Sequence, residues 1–210
     1  MRRPLIVGIG GTTRAGSGTE RVLRASLDAA GALGARTRLF TGAELDLPMY
    51  RPGPRDTRGR ALIETLGRAD GVIIASPAYH GTVSGLVKNA LDHVEDLREA
   101  ERPYLDGRAV GCIAVAGGAQ ASATTLLGLR TIAHALRGWP TPLGVAVDTS
   151  DRVFDEAGAV DDPVVLGRLD LLAEQVVGFA RLTTPTDGRM HRLAARRHTS
   201  GAALRVRESA

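Results

Sequence analysis

Leu5-Ile6-Val7-Gly8-Ile9-Gly10-Gly11-Thr12-Thr13-Arg14-Ala15-Gly16-Ser17-Gly18 is the stretch that decides the fold. Its first five residues form a short apolar run closed by glycine, as in a buried parallel strand. A polar, glycine-rich turn follows. Val22, Leu23, Ser26, Leu27 and Ala30 then recur at helical spacing, with Arg21, Arg24 and Asp28 on the other face. A strand, a glycine-rich turn and a helix in that order place free backbone N–H groups and the positive end of a helix dipole at one point. That is an anion site, and phosphate is its usual occupant. The side chains sharpen the reading: Thr12, Thr13, Ser17 and Thr19 offer hydroxyls, and Arg14 offers a bidentate fork. A merely tight turn capped by Ser or Thr would not need so many hydroxyls around an arginine.

Two nucleotide fingerprints fit this loop poorly. A dinucleotide fold wants GxGxxG, but in Gly8-Ile9-Gly10-Gly11-Thr12-Thr13 the third glycine is Thr13, and no acidic residue ends the second strand. A Walker A loop ends in Gly-Lys-Ser/Thr, and this loop has no lysine.

Working outward, strands are expected at Leu5–Ile9, Thr37–Phe40, Gly71–Ala75, Ala109–Ala116 and Leu143–Val147. Helices alternate with them, including one from about Gly85 to Leu97 and a last one opened by Asp162-Pro163. Residues 41–58, rich in Pro, Gly and Arg, read as a long loop. Gly138-Trp139-Pro140 reads as a helix end, with Trp139 and His134 as packing residues and His93 as a surface or interface residue. Alternating strands and helices predict a three-layer α/β sandwich around a five-stranded parallel sheet in the order 2-1-3-4-5. The expected division is one domain over 1–182 and a basic, flexible tail over 183–210. That tail carries most of the positive charge: the net charge is +4, and residues 181–210 hold seven arginines against two acids. A basic tail without interleaved aromatics reads as a solvated extension, so nucleic acid is not the expected partner. No apolar run is long enough to span a membrane, and the cytosol is the expected compartment. The single cysteine, Cys112, is expected to be buried and inert, and the scattered aspartates predict no metal site.

In that strand order the first and third strands are neighbours, and a crevice opens between their carboxyl ends. The third strand runs into Ser76-Pro77-Ala78-Tyr79-His80-Gly81, read here as a polar loop because Pro77 keeps Ser76 out of the α region. A ligand with a phosphate at one end and a flat ring at the other would fit between the two loops.

These residues resemble the NAD(P)H-dependent FMN reductases, a flavodoxin-like family that includes quinone and azo reductases. The family's phosphate loop reads G-S-x-R-x-x-S, matched by Gly11-Thr12-Thr13-Arg14-Ala15-Gly16-Ser17 with Thr12 in place of serine. Its ring loop reads S-P-x-Y-x-x-x-x-x-G-x-L-K-N-x-L-D. Ser76, Pro77, Tyr79, Gly85, Lys88, Asn89, Leu91 and Asp92 fall in step, with Val87 replacing leucine and His80 replacing a frequent asparagine.

The resemblance, over about residues 4–182, implies a flavodoxin-like fold and a set of contacts to FMN. Thr12, Thr13, Arg14, Ser17 and Thr19 would hold its phosphate. Pro77, Ala78, Tyr79, His80 and Gly81 would run beside the isoalloxazine, and Gly117, Gly118 and Gln120 would wall its other edge. Hydride would pass from NAD(P)H to the flavin, so the cofactors supply the chemistry and no catalytic side chain is expected. The acceptor would be a small molecule (free flavin, a quinone or an azo compound), with a monooxygenase as a partner for reduced flavin and a homodimer or homotetramer as the assembly. The alternatives are a quinone or azo-dye reductase with tightly held FMN, and a flavodoxin-type electron carrier without enzymatic activity. Lys88 and Asp92, at i, i+4 spacing, are expected to pair on a helix surface.

Overall fold

The computed structural model describes residues 2–183. The expected tail, apart from Thr183, lies outside the described residues.

β1 (Leu5–Gly10) is buried along its length. Its side chains alternate: Leu5, Val7 and Ile9 enter one core, and Ile6 enters the other. α1 (Gly18–Ala32) follows, then β2 (Arg36–Phe40), α2 (Thr57–Arg68), β3 (Gly71–Tyr79), β4 (Thr82–Val83) and α3 (Gly85–Asp92). β5 (Ala109–Ala116), α4 (Ala119–Ala135), β6 (Trp139–Pro140), β7 (Val145–Asp148) and α5 (Pro163–Thr183) follow, the last ending at the limit of the described residues. β2, β1, β3 and β5 lie side by side and parallel, and β6 and β7 both pair with β5 beyond them. α1 and α5 bury their apolar stripes on one face, while α2, α3 and α4 cover the other. This is the expected three-layer α/β sandwich, with the sheet running β2-β1-β3-β5 and then the β6/β7 edge.

The sheet has seven strands rather than five, and both additions have local causes. β6 is the Trp139-Pro140 segment that the sequence reads as a helix end; it pairs with Ala109 and Val110 at the opposite end of β5 from β7. Trp139 is 60% exposed, tilted against Phe179 with ring centroids 5.9 Å apart, and His134 is exposed, so neither is the packing residue expected. β4 arises because β3 does not stop at Ala75. Pro77 forces Ser76 into extended backbone, which is strand geometry, so the strand carries on to Tyr79. β1 pairs with β3 only as far as Ala75, leaving the strand one-sided at Pro77, where a missing N–H is tolerated. His80 (φ 51°) and Gly81 (φ 85°) then form a two-residue turn with both φ values positive, and Tyr79 pairs with Thr82. The expected polar loop is thus a hairpin.

The helix expected over about 85–97 is α3 followed by a 3-10 turn at His93–Leu97. His93 is buried, contrary to the surface reading, and its Nε2 lies 3.0 Å from the Pro48 carbonyl. Beside it, Asn89 donates to the Leu47 and Pro48 carbonyls at 3.0 and 3.1 Å and accepts from the Tyr50 N–H at 2.9 Å. These two side chains hold the long 41–58 connection, which also contains a 3-10 turn at Gly42–Glu44. Lys88 and Asp92 pair at 2.5 Å, as expected.

No helix among the described residues is long and apolar enough to cross a membrane. Cys112 is fully buried in β5, and burial pushes its thiol up to about 12. Folded protein at pH 8 should therefore resist a disulfide reagent that reacts with one thiol per chain in denaturant. Rapid labelling of the native state would contradict this. Because the folded thiol keeps its proton to higher pH than the unfolded one, its contribution to stability is complete below about pH 9 and is lost on the way to pH 12.

Candidate active site

β1 ends at Gly10, and the chain turns through Gly11 (φ 105°) and Gly16 (φ 67°) into α1. Ser17 is the N-cap, and its Oγ accepts from the Glu20 N–H at 3.3 Å. Glu20, 9% exposed, reaches back to accept the Gly16 N–H at 3.0 Å and pairs with Arg24 at 2.8 Å. This reciprocal arrangement is a capping box whose carboxylate lands one residue early. Thr12 Oγ1 accepts from the Arg14 N–H at 3.2 Å, which fixes the first half of the loop. The backbone N–H groups of Thr13, Ala15, Ser17, Gly18 and Thr19 find no partner among the described residues. Those of Ser17, Gly18 and Thr19 are the orphans of a helix start.

A cleft of about 690 Å³ opens over it, within the range of small-molecule sites. Of the sequence-predicted residues, Thr12, Arg14, Ser17 and Thr19 line one end, and Pro77, Ala78, Tyr79 and Gly117 line the other. Gly81, Gly118 and Gln120 border a separate depression of about 300 Å³ with Ala121 and Thr124. Thr13 and His80 are exposed and line neither. Tyr79, 52% exposed, stands free of the core at the mouth of the cleft.

Two strand pairings bring the ends together: Gly10 opposite Ala75, and Ser76 and Pro77 opposite Ala114 and Val115. Ser76 Oγ accepts the Ser84 N–H at 3.0 Å and so ties the hairpin to the start of α3. Asp148, at the end of β7, accepts from the Ser150 N–H at 2.9 Å and hydroxyl at 2.7 Å. Those bonds, with the N–H groups of Ala119 and Gly118 behind them, hold its carboxyl below the usual carboxylate range.

Sequence reasoning missed the cleft's third wall. Arg21, Thr149 and Phe154 also line it, the last two from the segment between β7 and α5. α1 and α5 share a face of the sheet, so that segment must cross the start of α1. No cluster of metal-binding side chains is found among the described residues.

Residues 4–151 match the family model described as NADPH-dependent FMN reductase. An FMN-dependent NADPH-azoreductase of Staphylococcus aureus is 31% identical over 142 residues, which cover 67% of this chain and 69% of that protein. Two solved structures share the fold. The flavoenzyme NAD(P)H:(acceptor) oxidoreductase FerB of Paracoccus denitrificans superposes with a TM-score of 0.69 at 17% identity, over 86% of this chain and 98% of that one. A flavodoxin, WrbA-like protein of Agrobacterium tumefaciens gives 0.60 at 19%, over 86% and 99%. The family match spans both ends of the cleft, from the loop after β1 to the turn after β5, and on it the chain is an oxidoreductase belonging to the NADPH-dependent FMN reductase family.

Proposed function

We propose that the cleft holds FMN, with the phosphate on the 12–19 loop and the ring against Pro77–Tyr79 and Gly117, and that the enzyme uses it to oxidise NAD(P)H and reduce a small diffusible acceptor. The observation that carries this reading is the polarity of the cleft. One end gathers the unused N–H groups of Ala15, Ser17, Gly18 and Thr19, the hydroxyls of Thr12, Ser17 and Thr19, and Arg14 at a helix start; the other is walled by small or apolar residues. A ligand with a terminal phosphate and a planar ring satisfies both ends at once.

When bound, FMN supplies the hydride chemistry at its ring. The protein's part is to bind and orient. Arg14 and the N–H groups neutralise and fix the phosphate, and Ser17 spends its hydroxyl oxygen on the helix cap, leaving its O–H as the donor. The depression beside Gly81, Gly118 and Gln120, walled by small residues, is the place for a second planar molecule next to the ring. His80 lies outside the cleft on the exposed turn and takes no part. Residues up to 182 form the binding unit, in a cytosolic enzyme that works as a homodimer or homotetramer. Free flavin destined for a monooxygenase is the first acceptor in this reading, with quinones and azo compounds behind it.

Steady-state NAD(P)H oxidation with FMN, a quinone and an azo dye compared side by side tests the activity. Turnover fastest with free FMN supports a flavin reductase. A strong preference for quinone or dye moves the acceptor to that class, and no oxidation with any acceptor leaves a flavin carrier. Arg14→Ala should weaken FMN about tenfold or more while leaving riboflavin, which has no phosphate, unchanged in a fluorescence titration. Equal losses for both flavins would take the phosphate away from this loop.

A further inference from the structure

We propose that residues 189–207, which lie beyond the described part of the chain, fold back over an exposed apolar stripe of α5 and over Trp139 beside it, setting their arginines against Asp170 and Glu174. The proposal does not depend on what the cleft binds.

Of the seven large apolar side chains left exposed among the described residues, four lie on one edge of the molecule: Trp139, Val164, Leu171 and Leu182. The last three are spaced by 7 and 11 residues along α5, which at 3.6 residues per turn puts them within about 20° of one line. Gly167 and Gly178 flank that line, and a Cβ on either would meet nothing within 4 Å. Gln175, on the same flank, accepts the Leu143 N–H at 3.0 Å, which turns the stripe toward the β6/β7 edge of the sheet. Trp139 stands at its Leu182 end, with its ring against Phe179. β6 pairs only with β5, so no strand covers Trp139 from outside. An apolar surface of this extent marks a place where something packs.

The chain itself continues from the end of that surface. α5 closes at Thr183, next to Leu182 and one turn past Phe179, and residues 184–210 follow. From Leu182 back to Val164 the stripe is about 27 Å long, at 1.5 Å per helical residue. About nine extended residues span that distance, so the segment reaches all of it. Thr184-Pro185-Thr186-Asp187-Gly188 supplies turn residues for the reversal, and Met190, Leu193, Leu204 and Val206 beyond it supply apolar side chains.

Charge favours this occupant over a second copy of the chain. Asp170 and Glu174, one turn apart and exposed beside the stripe, make no hydrogen bond or ion pair among the described residues. Arg181 of α5 is bonded to the Leu33 carbonyl, which leaves Arg168 as the helix's one unbonded cation. A second α5 would therefore bring two more acids and a single free cation. Residues 189–207 bring Arg189, Arg192, Arg196, Arg197, Arg205 and Arg207 with no acid among them. An arginine from that set can also stack on the open face of Trp139.

Trp139 is the chain's single tryptophan and so reports on the stripe directly. The test is acrylamide quenching of its emission in the full-length protein, with circular dichroism to confirm that each variant is folded. Leu193→Asp, and separately the triple change Arg192→Glu, Arg196→Glu and Arg197→Glu, should raise the quenching constant about twofold or more by uncovering the ring. Asp170→Lys together with Glu174→Lys should do the same from the helix side. Salt at about 0.5 M should move the original protein toward the variants, because exposed ion pairs are screened. Equal quenching in the original protein and both 189–207 variants overturns the proposal. Shielding of Trp139 that disappears on about a hundredfold dilution also overturns it, since contact within one chain does not depend on concentration, and assigns the stripe to a second copy.

Discussion

Replacing Arg108 with methionine should cost about 3–5 kcal/mol of stability and lower the melting midpoint by roughly 10 °C or more, because it orphans a set of buried carbonyls. Arg108 is fully buried at the start of the turn into β5. Nε donates to the Ala69 carbonyl at 2.9 Å, Nη2 to Gly67 at 2.8 Å, and Nη1 to Tyr104 at 3.1 Å. Gly67 and Ala69 are at the C-terminal end of α2, where the last carbonyls lack partners and carry the negative end of the helix dipole. Methionine fills similar volume but satisfies none of them; Ala69 keeps only a long 3.4 Å bond from Arg102 Nη1, and each buried carbonyl left unpaired costs about 1–3 kcal/mol. Arg108→Lys keeps the charge, yet one ammonium cannot span three divergent acceptors, so it should recover less than half of the loss. Burial, with Arg102 nearby, lowers the Arg108 guanidinium to about 10. It is protonated in both folded and unfolded chains at neutral pH, so the stability loss should be the same from pH 6 to pH 8. Urea denaturation of the three proteins checks this, and a difference under 1 kcal/mol for the methionine variant would refute it.

What could be read beforehand follows from how local each signal is. The turn from β1 into α1 is encoded within its own fourteen residues, by glycines where the backbone takes positive φ and by Ser17 at the cap, so both the element order and the shape of this turn were legible. The proline in Ser76-Pro77 was also legible, but its consequence was read the wrong way round. A residue kept out of the α region can leave a strand or extend it, and the pairing with Val115 decided for extension. His80-Gly81 then carried a hairpin-turn signal that the loop reading passed over. Other features depend on distant partners and leave no local trace. Asn89 and His93 are buried because the 47–50 segment lies against them, and nothing in either neighbourhood announces the other. Phe154 and Arg21 meet only because α1 and α5 share a face of the sheet. Glu20 did carry a signal: Ser17 and Glu20 at i, i+3 spell a capping box, legible as a helix start but not as the brace under Gly16 of the turn before it.

Gly10→Ala should be the most damaging change of a single methyl group near the cleft, with a loss of about 3 kcal/mol or more and a parallel loss of flavin binding. Gly10 is the last residue of β1 and lies opposite Ala75 of β3. A Cβ on Gly10 would stand 2.1 Å from the Ala75 carbonyl oxygen and 2.9 Å from its carbon. Both are backbone atoms in the middle of a sheet, with no rotamer to yield, so β1 and β3 must part. Parting them moves both ends of the cleft, because the turn into α1 begins at Gly11 and the hairpin pairing begins at Ala78, three residues beyond Ala75. The protein that does fold should therefore bind FMN at least tenfold more weakly. Gly178→Ala in α5 is the matching control. Nothing lies within 4 Å of a Cβ there, and alanine in a helix interior should stabilise by about 0.5–1 kcal/mol. Thermal melts and FMN titrations on the two variants separate the effects of a methyl group as such from those of its position. If Gly10→Ala melts within a degree or two of the original protein and binds FMN normally, the close approach of the two strands is not what holds the cleft's ends together.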